Sequence, residues 1–179
     1  AFDRAVDAAA AAAAVWTVAS ATVGFLLFQS LYIAAPTLDD AYGQQLGTFL
    51  TTVPAGQAWL TVTLVAAAAT ALCFAIRNVS ALAFVAVGSG LGLIPIAQQG
   101  HAGATADHDL AVSAIWLHMI FSGLWLGGLL VVVLVRPLLE GDRLRIVLAR
   151  YSSLALVSFV VVAASGYVMS VIPALWAFF

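Results

Sequence analysis

The residue types with the most chemical potential in this chain are its three histidines, His101, His108 and His118. His101 and His108 stand in a polar stretch, 98–109, that also holds Asp107 and Asp109. His118 follows inside an apolar run, nine residues after Asp109. At about 1.5 Å of rise per residue, a helix starting near Asp109 carries His118 roughly 13 Å inward. An ionisable ring at that depth is costly in lipid unless it faces a cavity, a partner or a metal. Steps of three or four residues put Ala111, Ala114, Ile115, Ser122 and Trp125 on its face, a mixture of small and polar neighbours. Imidazole is a common ligand for copper and zinc. Asp107 and Asp109 are placed to attract a cation or to orient the rings from outside. One reading is thus a metal site at the outer mouth of a helix bundle. The other is a set of surface histidines plus one buried histidine bonded to a backbone carbonyl. His101 and His118 are too far apart for a local H-x-x-x-H motif, so the metal reading requires the loop to fold back over the helix.

Soft ligands are scarce. Met169 sits at a level matching the outer mouth, and thioethers favour cuprous copper. Met119 follows His118 but points to a different face, and a methionine in a helix core is ordinarily a gap filler. The one cysteine, Cys73, lies in an apolar run, so a disulfide framework is excluded and a buried thiol is expected. Gln29, Gln98, Gln99, Ser122 and Ser165 fall in or near the outer halves of helices and could line a path. Ser89 stands between two glycines, the setting of an intramembrane protease serine, but its helix offers no general base. No catalytic residue is assigned, and the chain is not expected to be an enzyme.

The elements that must position these residues follow from composition. Hydrophobic residues make up 64% of the chain and charged residues 8%, against about 25% charged in a soluble domain. A helix needs about 20 mostly apolar residues to cross a hydrocarbon core about 30 Å thick. Segments 5–35, 55–76, 79–98, 109–135 and 146–176 qualify, the first stopping at Pro36 and the fourth before Pro137. A lipid-exposed backbone must satisfy its own hydrogen bonds, and the alternation of a β-barrel is absent, so the spans are helices. The fold class is all-α: a polytopic transmembrane bundle of about five spanning helices, read as one domain over 1–179. The non-methionine start and the apolar end suggest a piece of a larger membrane protein.

With that many spans, Arg4, Arg77, Arg136, Arg143, Arg145 and Arg150 all fall on one side. The positive-inside rule makes that side cytoplasmic and puts the histidines towards the outer face. A net charge of −2 argues against a nucleic-acid partner. Gly88, Gly90 and Gly92, and Gly123, Gly127 and Gly128, are small positions at which helices approach closely, with Gly127 and Gly128 both expected at a helix–helix contact. The alanine tract 8–14 is expected to face a neighbouring helix.

Several short pieces in order resemble the copper resistance protein D family. They are Gly100-His101-Ala102, His118, Trp125-Leu126-Gly127-Gly128-Leu129, Arg150-Tyr151-Ser152 and Ser165-Gly166. The similarity covers roughly 79–170 and, more loosely, the first two spans. The Asp107-His108-Asp109 stretch and the alanine-rich style resemble an actinobacterial branch in which this part is often fused to a cytochrome c oxidase assembly domain. The resemblance implies a multi-pass protein of the cytoplasmic membrane that moves or delivers copper. It implies copper as the bound or carried ion, His101 and His118 as copper-related residues, and a periplasmic copper carrier or oxidase assembly factor as partner. His108 and Met169 complete the expected ligand set. The family usually continues past Ser-Gly into further helices, whereas this chain runs on through Val171-Ile172-Pro173 and ends. The alternatives are a b-type haem electron carrier, for which no second intrahelical histidine pairs with His118, and a structural subunit of a larger membrane complex.

Overall fold

A computed structural model describes residues 2–32, 40–99 and 108–176. All regular structure among them is helical, with no strand. In chain order the elements are α1 (Phe2–Leu31), α2 (Asp40–Thr52), α3 (Pro54–Ala75), α4 (Val79–Leu91), α5 (Ile94–Ala97), α6 (His108–Val135), a 3₁₀ turn at Arg136–Leu138, and α7 (Asp142–Trp176). Five stretches are long and apolar enough to span a membrane: Asp3–Leu31, Pro54–Ala75, Val79–Ala97, Asp109–Leu138 and Asp142–Val171. Many of the side chains that point outward are large and apolar, Phe84 being 78% and Leu126 65% exposed. Such a surface suits a lipid solvent and would be a liability in water. The chain is a multi-pass α-helical membrane protein. It divides into two compact units, Ala1–Gln99 and Gly100–Phe179.

The first unit is built on α1 and α3. Buried Ala58, Val62, Ala66, Ala69 and Cys73 recur every three or four residues along α3. Ala10, in the alanine tract of α1, is also buried. Small side chains of this kind allow two backbones to approach closely in lipid. The Thr17 and Thr70 hydroxyls meet across the pair at 3.1 Å. Arg77 donates to Asp7 at 2.8 Å, tying the α3–α4 turn to the start of α1.

The sequence patterns did not show α2. It is too short to span, and Gln44, Gly47, Thr48, Thr51 and Thr52 leave its outer side polar or small. Its inner side holds Phe49, fully buried, in a ring cluster with Phe28, Tyr32 and Tyr42. Val53 then turns extended, as a residue before proline prefers, and Pro54 opens α3 where a missing N–H costs nothing. Gly56 is obligatory there, because a Cβ would overlap the Phe49 carbonyl.

The third span is also not the unbroken helix expected over 79–98. Asn78 caps α4 by accepting from the Ser80 and Ala81 amides. The hydrogen-bond ladder then slips at Gly92–Leu93, where the Leu93 amide reaches back only to the Gly90 carbonyl. Pro95, two residues on, has no amide proton to give to the Leu91 carbonyl. At the break Gly92 lies against Val65, whose Cγ1 would be 2.6 Å from an added Cβ.

The second unit is the pair α6 and α7. Its last helix begins at Asp142, earlier than the hydropathy-based start at 146, because polar first-turn residues extend the helix beyond its apolar part. Gly141 ahead of it adopts φ +56°, a left-handed conformation that glycine enters without strain. An acidic residue in the first turn suits the positive end of the helix dipole.

Candidate functional site

The histidine that sequence placed deepest is held by a defined partner. His118 lies in α6, ten residues beyond its first residue His108, and is half-buried. At about 1.5 Å per residue that is roughly 15 Å along the helix. Its Nδ1 sits 3.1 Å from Oγ of Ser165 in α7. Ser165 is almost fully buried and donates to the Val161 carbonyl at 2.7 Å, with the Val162 carbonyl at 3.1 Å. The partner is therefore a serine hydroxyl on the facing helix and not the backbone carbonyl that sequence reasoning offered. Gly166, next to Ser165, lies beside the imidazole, where an added Cβ would meet Cε1 at an ordinary 3.7 Å. Among the described residues, Nε2 of His118 has no hydrogen-bond partner.

Three further contacts fix how α7 lies against α6. The Tyr151 hydroxyl donates to the Trp125 carbonyl at 3.1 Å. The Trp125 ring meets Phe159 edge-on, with centroids 5.8 Å apart. Gly128 passes under the Tyr151 ring so closely that a Cβ would lie 3.0 Å from Cε2 and 3.2 Å from Cδ2. Of the two glycines expected at a contact Gly128 is thus packed, whereas Gly127, like Gly123, has nothing among the described residues within 4 Å of an added Cβ. Adjacent helix residues point about 100° apart, so only one of the two neighbouring glycines can face α7. Ser158 lies seven residues from both Tyr151 and Ser165, hence on the same helix face. It is fully buried, and its hydroxyl has no partner among the described residues.

The other expected ligands stand differently. Met169 is half-buried and follows Ser165 by four residues, so it shares that face one turn, about 6 Å, further along α7. His101 and Asp107 lie outside the described residues, and so does the side chain of His108. Among the described residues no group of three or more His, Cys, Asp or Glu side chains comes together as a metal cluster. Cys73 is a free buried thiol in the first unit.

A family model, the N-terminal domain of copper resistance protein D-like proteins, matches residues 1–112, more than half of the chain. The chain belongs to the copper resistance protein D-like family. Comparison with curated proteins and with solved structures gave no match. The family assignment makes this a membrane protein related to copper resistance. The match covers the first unit, where the resemblance read from the residues was looser, and stops before His118. The motif pieces beyond it map onto α6 and α7. Trp125 and Gly128 receive Tyr151, and His118 receives Ser165 beside Gly166.

Proposed function

We propose that this chain takes up copper at the outer face of the cytoplasmic membrane and passes it inward through histidine ligands, without catalysing a chemical reaction. The observation that carries the reading is His118. It is an imidazole set deep in an apolar span, fixed through Nδ1 by Ser165, with Nε2 uncommitted among the described residues. A ring placed there only for packing would waste the cost of inserting it. Membership of the copper resistance family supports copper as the ion, and imidazole suits copper.

In this reading copper is cargo. His101 captures it, with His108 as an auxiliary ligand and Asp107 and Asp109 raising the local cation concentration. His118 receives it next, and Met169, one turn from Ser165, offers a soft sulfur at the same end of α7. The arginines face the cytoplasm, and a periplasmic copper carrier or an oxidase assembly factor presents the ion. Ligation requires neutral imidazole, so uptake falls as the medium is acidified. The test is copper content of the purified protein and copper uptake by cells producing it, for His101→Ala, His118→Ala and the double variant. Each single substitution is expected to lower both quantities. Full binding and uptake in both singles would overturn the reading.

A further inference from the structure

We propose that Ser165 is the positioning residue of His118: it holds the ring as the Nδ1–H tautomer and so leaves Nε2 as the nitrogen that meets the ion. The second half of this statement rests on the copper reading above; the first half does not. A serine hydroxyl has a single proton. In α7 that proton has the Val161 carbonyl at 2.7 Å, the usual separation for an O–H···O bond, with the Val162 carbonyl at 3.1 Å as a minor second acceptor. The Ser165–His118 separation of 3.1 Å is long for a hydroxyl donor and ordinary for an N–H donor. The short bond therefore carries the hydroxyl proton, and Oγ turns its lone pairs to the imidazole. Two lone pairs cannot form a hydrogen bond, so Nδ1 carries the hydrogen. A neutral imidazole has only one N–H, which assigns the lone pair to Nε2.

Burial makes the assignment matter. Ser165 is only 5% exposed, so little water competes for the Nδ1–H, and the hydrogen bond is correspondingly firm. A partner that fixes one ring nitrogen sets both the tautomer and the direction of the other, as hydrogen-bonded partners of ligating histidines generally do. The Tyr151–Trp125 and Gly128–Tyr151 contacts, further along the same helix pair, hold α7 in the register that brings Ser165 to His118.

The experiment is nitrogen-15 magnetic resonance of the full chain, labelled at histidine, in lipid nanodiscs without copper. The His118 signals are identified by their loss in His118→Gln. The wild-type ring is expected to show a protonated Nδ1 and an unprotonated Nε2. Ser165→Ala is expected to shift the ring towards the Nε2–H form, and Ser165→Thr, which keeps a hydroxyl, to restore the wild-type pattern. An Nε2–H ring in the wild-type protein overturns the proposal without any variant. An unchanged ring in Ser165→Ala overturns it equally. With copper added, Ser165→Ala is expected to bind about 10- to 100-fold more weakly than wild type, the usual effect of removing a partner that orients a ligand. Unaltered copper affinity in that variant overturns the assignment of Nε2 as the ligand nitrogen. A wild-type protein that shows the Nδ1–H ring but binds no copper would confirm the role of Ser165 and sink the copper reading alone.

Discussion

Replacing Gly128 and Gly127 by leucine, one at a time, separates a packed glycine from an open one only one residue away. The two variants make the same chemical change in the same helix, so the gain in helix propensity and the added apolar surface are nearly common to both. What differs is the neighbour. At Gly128 even the Cβ lies 3.0 Å from Tyr151 Cε2 and 3.2 Å from Cδ2. The ring must retreat, yet its hydroxyl is tethered to the Trp125 carbonyl at an already long 3.1 Å. Losing that bond costs about 0.5–1.5 kcal/mol. Forcing the rest of a leucine between the helices adds about 1–3 kcal/mol of overpacking. Gly128→Leu should therefore be less stable than Gly127→Leu by about 2–4 kcal/mol, a factor of roughly 30 to 1,000 in the folded-to-unfolded ratio. Equilibrium unfolding in mixed micelles, followed by tryptophan fluorescence, measures the difference. Equal stabilities, or a larger loss at Gly127, would refute the α6–α7 packing described here.

Three further outcomes are expected. Gly56→Ala should be destabilised by at least about 1–3 kcal/mol in the same assay, because the obstacle is the Phe49 carbonyl and backbone yields less than a side chain; stability equal to that of Gly43→Ala would contradict the docking of α2. Ser158→Ala should unfold no more easily than wild type and gain up to about 1 kcal/mol, since it removes a buried hydroxyl without a partner; a loss of that size would reveal a partner. In a Cys73→Ala background, cysteines placed at Arg143 and Asp107 should be labelled from opposite sides of the membrane, and labelling of both from one side would end the proposed orientation.

Physical scale separates what the sequence made legible from what it did not. The spans were legible because crossing lipid demands about 20 apolar residues in a row, a signal local to each segment. The short α2 escaped because its helicity depends on burying Phe49 against Phe28, a contact between distant residues. The break at Gly92–Leu93 had its cause in view, Pro95, but the apolar run continues across it and masks the interruption. His118 stood out from its depth alone. Ser165 was visible as a polar residue in an outer half and within the Ser165-Gly166 piece, but its role depends on how α7 lies against α6, across 47 positions of sequence. The choice between Gly127 and Gly128 turned on the same packing. His101 and the side chain of His108 lie outside the described residues, so the outer half of the expected site rests on residue type and position.

The most direct test of the central claim is X-ray absorption at the copper edge of the copper-loaded protein, compared between wild type and His118→Ala. Imidazole rings bound to copper give a recognisable outer-shell scattering pattern. That pattern is expected in the wild-type spectrum, with a clear weakening of it in His118→Ala and a lower copper content. A wild-type spectrum without imidazole scattering, or one that His118→Ala leaves unchanged, would contradict the claim.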